Sequence, residues 1–113
     1  MFNLNELCVM AYENASKREA KDGKVSTVTM QMLKHTATEV VEATEAYSRV
    51  LSASSIREAV DRINTVRADF ASELADIICC VLIIAGKENI DMEKALTECM
   101  EKNYYRAIGK GDK

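Results

Sequence analysis

The sequence contains no proline and no tryptophan, and only four glycines are spread over its 113 residues. Without proline nothing forces a break in a helix, and with so little glycine few turns can use left-handed backbone. The chain is instead rich in Ala, Glu, Lys, Leu and Met, which favour helices. Positive charge is not in excess either: 15 Lys and Arg stand against 18 Asp and Glu, a formal charge of −3. That balance argues against a general nucleic-acid binder, which would carry a basic stripe; the positive charge gathers only locally, in Lys102, Arg106, Lys110 and Lys113. Long hydrophobic runs are missing. The longest, Ile77–Ala85, has nine residues, far short of the roughly 20 that span a bilayer, and Met1–Tyr12 lacks the basic start and apolar core of a signal peptide. No membrane association is expected. The four cysteines (Cys8, Cys79, Cys80, Cys99) form no CxxC pair, and two of them are adjacent within the apolar run. They read as free, buried thiols in a reducing, cytoplasmic compartment.

What remains is a chain 48% apolar and 29% charged, the balance of one globular all-α domain spanning residues 1–113. Four helical segments are expected, five if the third is broken. The first opens at an Asn3-x-x-Glu6 capping box and stops at Asp22-Gly23. The second begins near Ser26 or Thr27 and continues to about Ser52, with Met30, Leu33, Ala37, Val40, Thr44, Tyr47 and Leu51 forming one apolar stripe. A second capping box, Ser55 to Glu58, opens the next segment. Run unbroken to Ala85 it would exceed thirty residues, so a break is expected at Asn64-Thr65, with the main third helix ending at Gly86. Asp91 caps a last helix reaching about Ala107. The third helix is apolar on every face from Ile77 to Ala85, more than one small chain can cover, which predicts a homo-oligomer.

Carboxylates are stacked in two places. Glu39, Glu42 and Glu45 lie on the second helix, Glu73 and Asp76 on the third. Residues three apart share a helix face, so Glu39/Glu42 and Glu73/Asp76 are side-by-side pairs of like charge. Glu42 points roughly opposite the apolar stripe of its own helix. Glu73 and Asp76 sit at the entrance of the most apolar helix, where paired carboxylates are costly unless a cation or hydrogen bonds compensate. Facing each other across a hairpin, the two pairs would form an all-oxygen cage suited to Mg²⁺ or Mn²⁺. Zinc is disfavoured, because there is one histidine and no cysteine at ligand spacing. Spacing alone leaves both a metal site and a plain solvated acidic face open. A straight hairpin would misalign the pairs by roughly 12 Å, which is the second reason to expect the break at Thr65. His35, one turn before Glu39, reads as an ordinary surface or core residue.

These segments resemble a known family. Thr38-Glu39-Val40-Val41-Glu42-Ala43-Thr44-Glu45-Ala46-Tyr47 looks like the E-x-x-E segment of MazG-like nucleoside triphosphate pyrophosphohydrolases, and Glu73-Leu74-Ala75-Asp76-Ile77 looks like their E-x-x-D segment. Gly86–Arg106, with Asn89-Ile90-Asp91-Met92 and Asn103-Tyr104-Tyr105-Arg106, is similar to the tail of one branch, and Leu4-Asn5-Glu6-Leu7 to its opening. Each motif is weakly specific alone; their order and company carry the resemblance. It implies an all-α bundle of four to five helices, assembled as a dimer or tetramer. It also implies hydrolysis of (d)NTPs to nucleoside monophosphate and pyrophosphate, as nucleotide-pool housekeeping. By the same resemblance Glu39, Glu42, Glu73 and Asp76 would hold Mg²⁺, and Lys102, Asn103 and Arg106 would approach the phosphates. The chain departs from the pattern at Cys99, where a lysine is usual. Ala107-Ile108 stand in place of Pro-Tyr, and Ala20–Val25 lacks a tryptophan common there.

The implied chemistry suits these ligands. A divalent cation neutralises polyphosphate charge and lowers the pKa of a bound water, and Glu42 or Glu45 could take that water's proton. Two other readings keep the fold without turnover: a catalytically silent helical interaction or regulatory protein, and a nucleotide sensor.

Overall fold

The computed structural model describes residues 3–109. Four α-helices follow one another: α1 (Leu4–Asp22), α2 (Thr29–Leu51), α3 (Ile56–Lys87) and α4 (Met92–Ala107). No strand occurs among the described residues, and no helix is long and apolar enough to cross a membrane. The starts of three helices are those written in the sequence. The Asn3 side chain accepts from the Glu6 amide at 2.8 Å, Ser55 Oγ from Glu58 at 3.1 Å, and Asp91 from Lys94 at 3.1 Å. Each satisfies a backbone donor that the first turn leaves open. Helix α2 differs. It starts at Thr29 after Val28, with no side-chain cap, because Thr27 is committed elsewhere: its amide and hydroxyl both donate to Glu19 of α1, at 2.9 and 2.8 Å.

Helix α3 is continuous over 32 residues, and the expected break at Asn64-Thr65 does not exist. Thr65 does not cap a new helix; its hydroxyl donates to the Asp61 carbonyl four residues back, at 3.0 Å, so the side chain is satisfied inside the helix. Gly86 does not end α3 either. The helix passes through it, and a Cβ there would lie 2.3 Å from the Cys8 carbonyl oxygen and 2.8 Å from Tyr12 Cβ. The glycine therefore serves the close approach of α1 and α3. The helix ends one residue later, at Lys87; beyond it Asn89 takes a left-handed conformation (φ 56°) and the Ile90 amide reaches back to Ala85 O at 2.9 Å, a Schellman closure.

The continuous helix solves the register problem by another route. Arg62, not Ile56, stands beside the C-terminus of α2, its guanidinium donating to Arg49 O at 2.7 Å and Ser52 Oγ at 2.8 Å. The connection is extended at Ser55 (φ −152°, ψ 164°) and carries the start of α3 past the end of α2. Six residues of overhang amount to about 9 Å, most of the misalignment a straight hairpin would have. Further along, the Tyr47 and Phe70 rings meet with centroids 5.3 Å apart.

Helix α3 is the hub, packing against α2 along one side and α1 along another, while α4 packs mainly against α1. The buried apolar set is small: Cys8, Ala15, Met32, Ala43, Val66, Cys80 and Ala85. Among the described residues it includes no leucine, isoleucine or aromatic residue. Of the four cysteines, all free, Cys79 and Cys99 are exposed, so only half of the expected buried thiols are buried. The face of α2 turned to α3 consists of Met32, Thr36, Glu39, Ala43, Ala46 and Val50. The stripe read from the sequence lies one residue, or about 100°, around the helix. All seven of its members, Met30, Leu33, Ala37, Val40, Thr44, Tyr47 and Leu51, are exposed. Ile78, Cys79 and Val81 are exposed as well, so the apolar stretch of α3 is not surrounded within one chain. The radius of gyration is 17.7 Å, where a compact chain of this length has about 13 Å. The accessible surface is 8241 Å², where a compact monomer of 12.6 kDa has about 6,200 Å².

Candidate functional site

The overhang of α3 sets Glu73 level with Glu39 and Glu42. One oxygen from each of these three carboxylates lies within 4.8 Å of the others. Glu39 is buried, Glu73 half-buried and Glu42 exposed, so the cluster runs from the α2–α3 contact out to solvent at Glu42. Helical spacing explains the α2 pair, and the crossing of α3 supplies the third.

Burial has left these acids unusually short of partners. Glu39 Oε1 lies 3.1 Å from His35 Nε2. Its other oxygen, and Oε2 of Glu73, are shielded from solvent and have no hydrogen-bond partner. Burial pushes the Glu39 carboxyl above the usual carboxylate range; Glu42, Asp76 and Glu73 add like-charge repulsion, and His35 partly opposes it. Two screened carboxylate oxygens without donors, at the meeting point of three acids, fit a hard cation better than a network of protein donors. The donor set is all oxygen, which suits Mg²⁺ or Mn²⁺ rather than a thiophilic metal.

Asp76 is exposed and outside the group of three converging oxygens, although Glu39 feels its charge. Glu45 lies one turn beyond Glu42, also exposed. Cys80, buried beside Thr36, walls one side, its thiol pushed up in pKa mainly by burial. The three residues expected at the phosphates are all on α4, which leans on α1 and not on the hairpin that carries the acids. Lys102 is exposed, Asn103 donates to Cys99 Sγ at 3.9 Å, and Arg106 lies in the last turn. The positions Lys110 and Lys113 lie outside the described residues.

One participant was missed by sequence reasoning. His35 contacts Glu39 directly, and its spacing four residues earlier on one helix was the available signal. The ring also borders a cleft of about 220 Å³ lined by Lys24, Val25, Ser26, Gln31 and Met32. Comparisons of the chain with family models, curated proteins and solved structures find no match.

Proposed function

We propose that the protein is a divalent-cation-dependent nucleoside triphosphate pyrophosphohydrolase of the MazG-like type, acting on (d)NTPs at the Glu39–Glu42–Glu73 cluster. The observation that carries this reading is the pair of buried oxygens, Glu39 Oε2 and Glu73 Oε2, with no donor from the chain. Held there, Mg²⁺ would supply charge neutralisation for the polyphosphate and a water of lowered pKa. Glu39, Glu42 and Glu73, whose oxygens converge, would hold the cation, with Asp76, outside that group, as a more distant ligand. Glu42, the exposed member of the three, would accept the water's proton; Glu45, one turn on, is the second candidate. Arg106, with Asn103 and Lys102, would grip phosphate oxygens only from a second copy, because within one chain α4 packs mainly against α1 and away from the acids. Incubation with each (d)NTP and Mg²⁺ should yield nucleoside monophosphate and pyrophosphate. Metal-dependent nucleotide binding without pyrophosphate would favour the sensor reading, and neither would favour a silent interaction protein.

Self-association belongs to the same proposal. The exposed α2 stripe keeps strict 3- and 4-residue steps over seven positions, the spacing of a helix-packing seam. On the stripe of α3 that includes Phe70, Ile63, Leu74, Ile78 and Val81 are exposed. The excess surface of roughly 2,000 Å² over a compact monomer is on the scale that permanent dimers bury. A second copy laying its own α2–α3 face across this one would close a four-helix bundle. Light scattering should find a dimer or tetramer at micromolar concentration, and Val40→Lys should dissociate it or make it aggregate. A stable wild-type monomer would sink this part of the proposal.

A further inference from the structure

We infer that Arg62 is a positioning residue for the acidic cluster: it clasps the C-terminal end of α2 and so sets the register that brings Glu73 of α3 level with Glu39. The inference rests on the cation-site reading and concerns a residue that reading does not require, eleven positions before Glu73 on the same helix. One guanidinium nitrogen of Arg62 donates to Arg49 O at 2.7 Å and to Ser52 Oγ at 2.8 Å, and another pairs with Glu58. Glu58 in turn accepts from the Ser54 amide at 3.0 Å. A single half-buried side chain thus joins the last turn of α2, the connection and the first two turns of α3.

The last carbonyls of a helix lack intrahelical donors and form the negative end of its dipole. The amides of Ser52 and Ala53 take Ser48 O and Val50 O, which leaves Arg49 O to side-chain donors. A cationic fork is suited to that place, and it binds α3 to one fixed point on α2. From this point the two helices run an equal distance to the acids. Glu39 stands ten residues before Arg49 and Glu73 eleven after Arg62, runs of about 15 and 16.5 Å. Eleven residues are also close to three full turns, so Arg62 and Glu73 share a face of α3. Other contacts resist sliding less. Apart from Glu39, α2 and α3 bury only Met32, Ala43, Val66, Cys80 and Ala85, and apolar contact has no direction. The Arg49–Asp69 pair at 3.4 Å and the hydrogen bond from Thr29 to Glu88 are exposed, and exposed pairs hold loosely. A slide of one residue moves Glu73 by about 1.5 Å, more than the roughly 0.2 Å by which ligand distances to a bound metal vary.

The test is Mn²⁺ binding by the full chain, followed through loss of the free-ion paramagnetic signal, at a temperature where circular dichroism shows each protein folded. Wild type is compared with Arg62→Met, Arg62→Lys, Asn5→Ala and Glu73→Gln. Methionine keeps an apolar stem and removes the donors; it should weaken binding by about tenfold or more, the low end of what orienting a ligand contributes. Lysine keeps the charge but concentrates it at one point, and should recover only part of the affinity. Asn5→Ala is the control for stability alone. It cuts a comparable tie between α1 and α4, to Asp91 at 2.8 Å and from the Glu93 amide at 3.1 Å, and should bind Mn²⁺ like wild type. Arg62→Met binding as tightly as wild type, while Glu73→Gln loses the ion, would overturn the inference and leave the cation site standing. An equal loss in Asn5→Ala would overturn it too, since lost stability would then account for both. So would full recovery in Arg62→Lys, which would show that charge suffices without the fork. Wild type that binds no Mn²⁺ would overturn the cation site, and this inference with it.

Discussion

Carboxylates in two regions of this molecule meet opposite fates. Around the helix ends, every acid that shifts has been given donors. Asp91 takes the Asn5 amide at 2.8 Å as well as its own helix amide, Glu19 takes both donors of Thr27, and Glu58 takes Ser54 and Arg62. All three are held below the ordinary carboxylate range, chiefly by those hydrogen bonds. In the α2–α3 acidic cluster the reverse holds: Glu39 is pushed up by burial and by its neighbours, and two oxygens have no donor. The same chain supplies partners where a carboxylate ties elements together and withholds them where three acids converge. Acids of the first kind are part of the scaffold. Those of the second kind cost stability until something from outside neutralises them, which is the physical content of the proposed site.

Three experiments sharpen or break that contrast. The largest effect belongs to the scaffold. Gly86→Ala places a methyl group 2.3 Å from the Cys8 carbonyl; the steric cost of about 3 kcal/mol or more exceeds the roughly 1 kcal/mol that alanine gains in a helix. The melting temperature should drop by on the order of 10 °C, with α1 loosened from α3. A neutral result would show that the two helices do not approach as closely as described.

Next comes the acidic cluster. Mg²⁺ at about 100 times its Kd should add roughly 2.7 kcal/mol, a rise on the order of 10 °C in melting temperature. Glu73→Gln should abolish that rise and lower turnover by about 100-fold or more, whereas Glu19→Gln should leave the rise intact. Equal loss in both variants would erase the distinction between the two classes of acid.

The smallest effect is a pH dependence without metal. A carboxyl whose folded pKa is raised favours the fold below its unfolded pKa, near the ordinary 4.5, and that contribution is lost as pH rises through the folded value. Glu39→Gln removes this loss. Its melting temperature relative to wild type should therefore climb between about pH 4 and pH 7. Glu19, Glu58 and Asp91 work in the opposite direction but are common to both proteins and cancel in the difference. A flat difference would mean that Glu39 is not destabilised in the folded chain.

Much of the architecture was legible because it rests on local chemistry. Asn3, Ser55 and Asp91 cap helices because a short polar side chain beside an open backbone donor acts within one turn. The pairing of Glu39 with Glu42 follows from helical period alone. Other readings failed where a residue had a second option that only packing selects. Thr65 could cap or bond backward, and it bonds backward; Gly86 could end a helix or admit a neighbour, and it admits α1. The seven-residue stripe of α2 was found correctly as a pattern, but periodicity does not say which neighbour covers it. In this chain α3 takes the adjacent face.

The sequence by itself determined that the chain is helical, where three of its helices begin, and that acids stack on two of them. These depend on interactions spanning three or four residues, which composition and spacing encode directly. Only the tertiary structure decided that α3 runs unbroken, that its overhang brings Glu73 to Glu39, and that His35 is the residue engaging it. Those outcomes depend on how two helices slide and rotate against each other. A shift of one residue turns a side chain by about 100°, so the same letters can place an acid in a helix contact or in water.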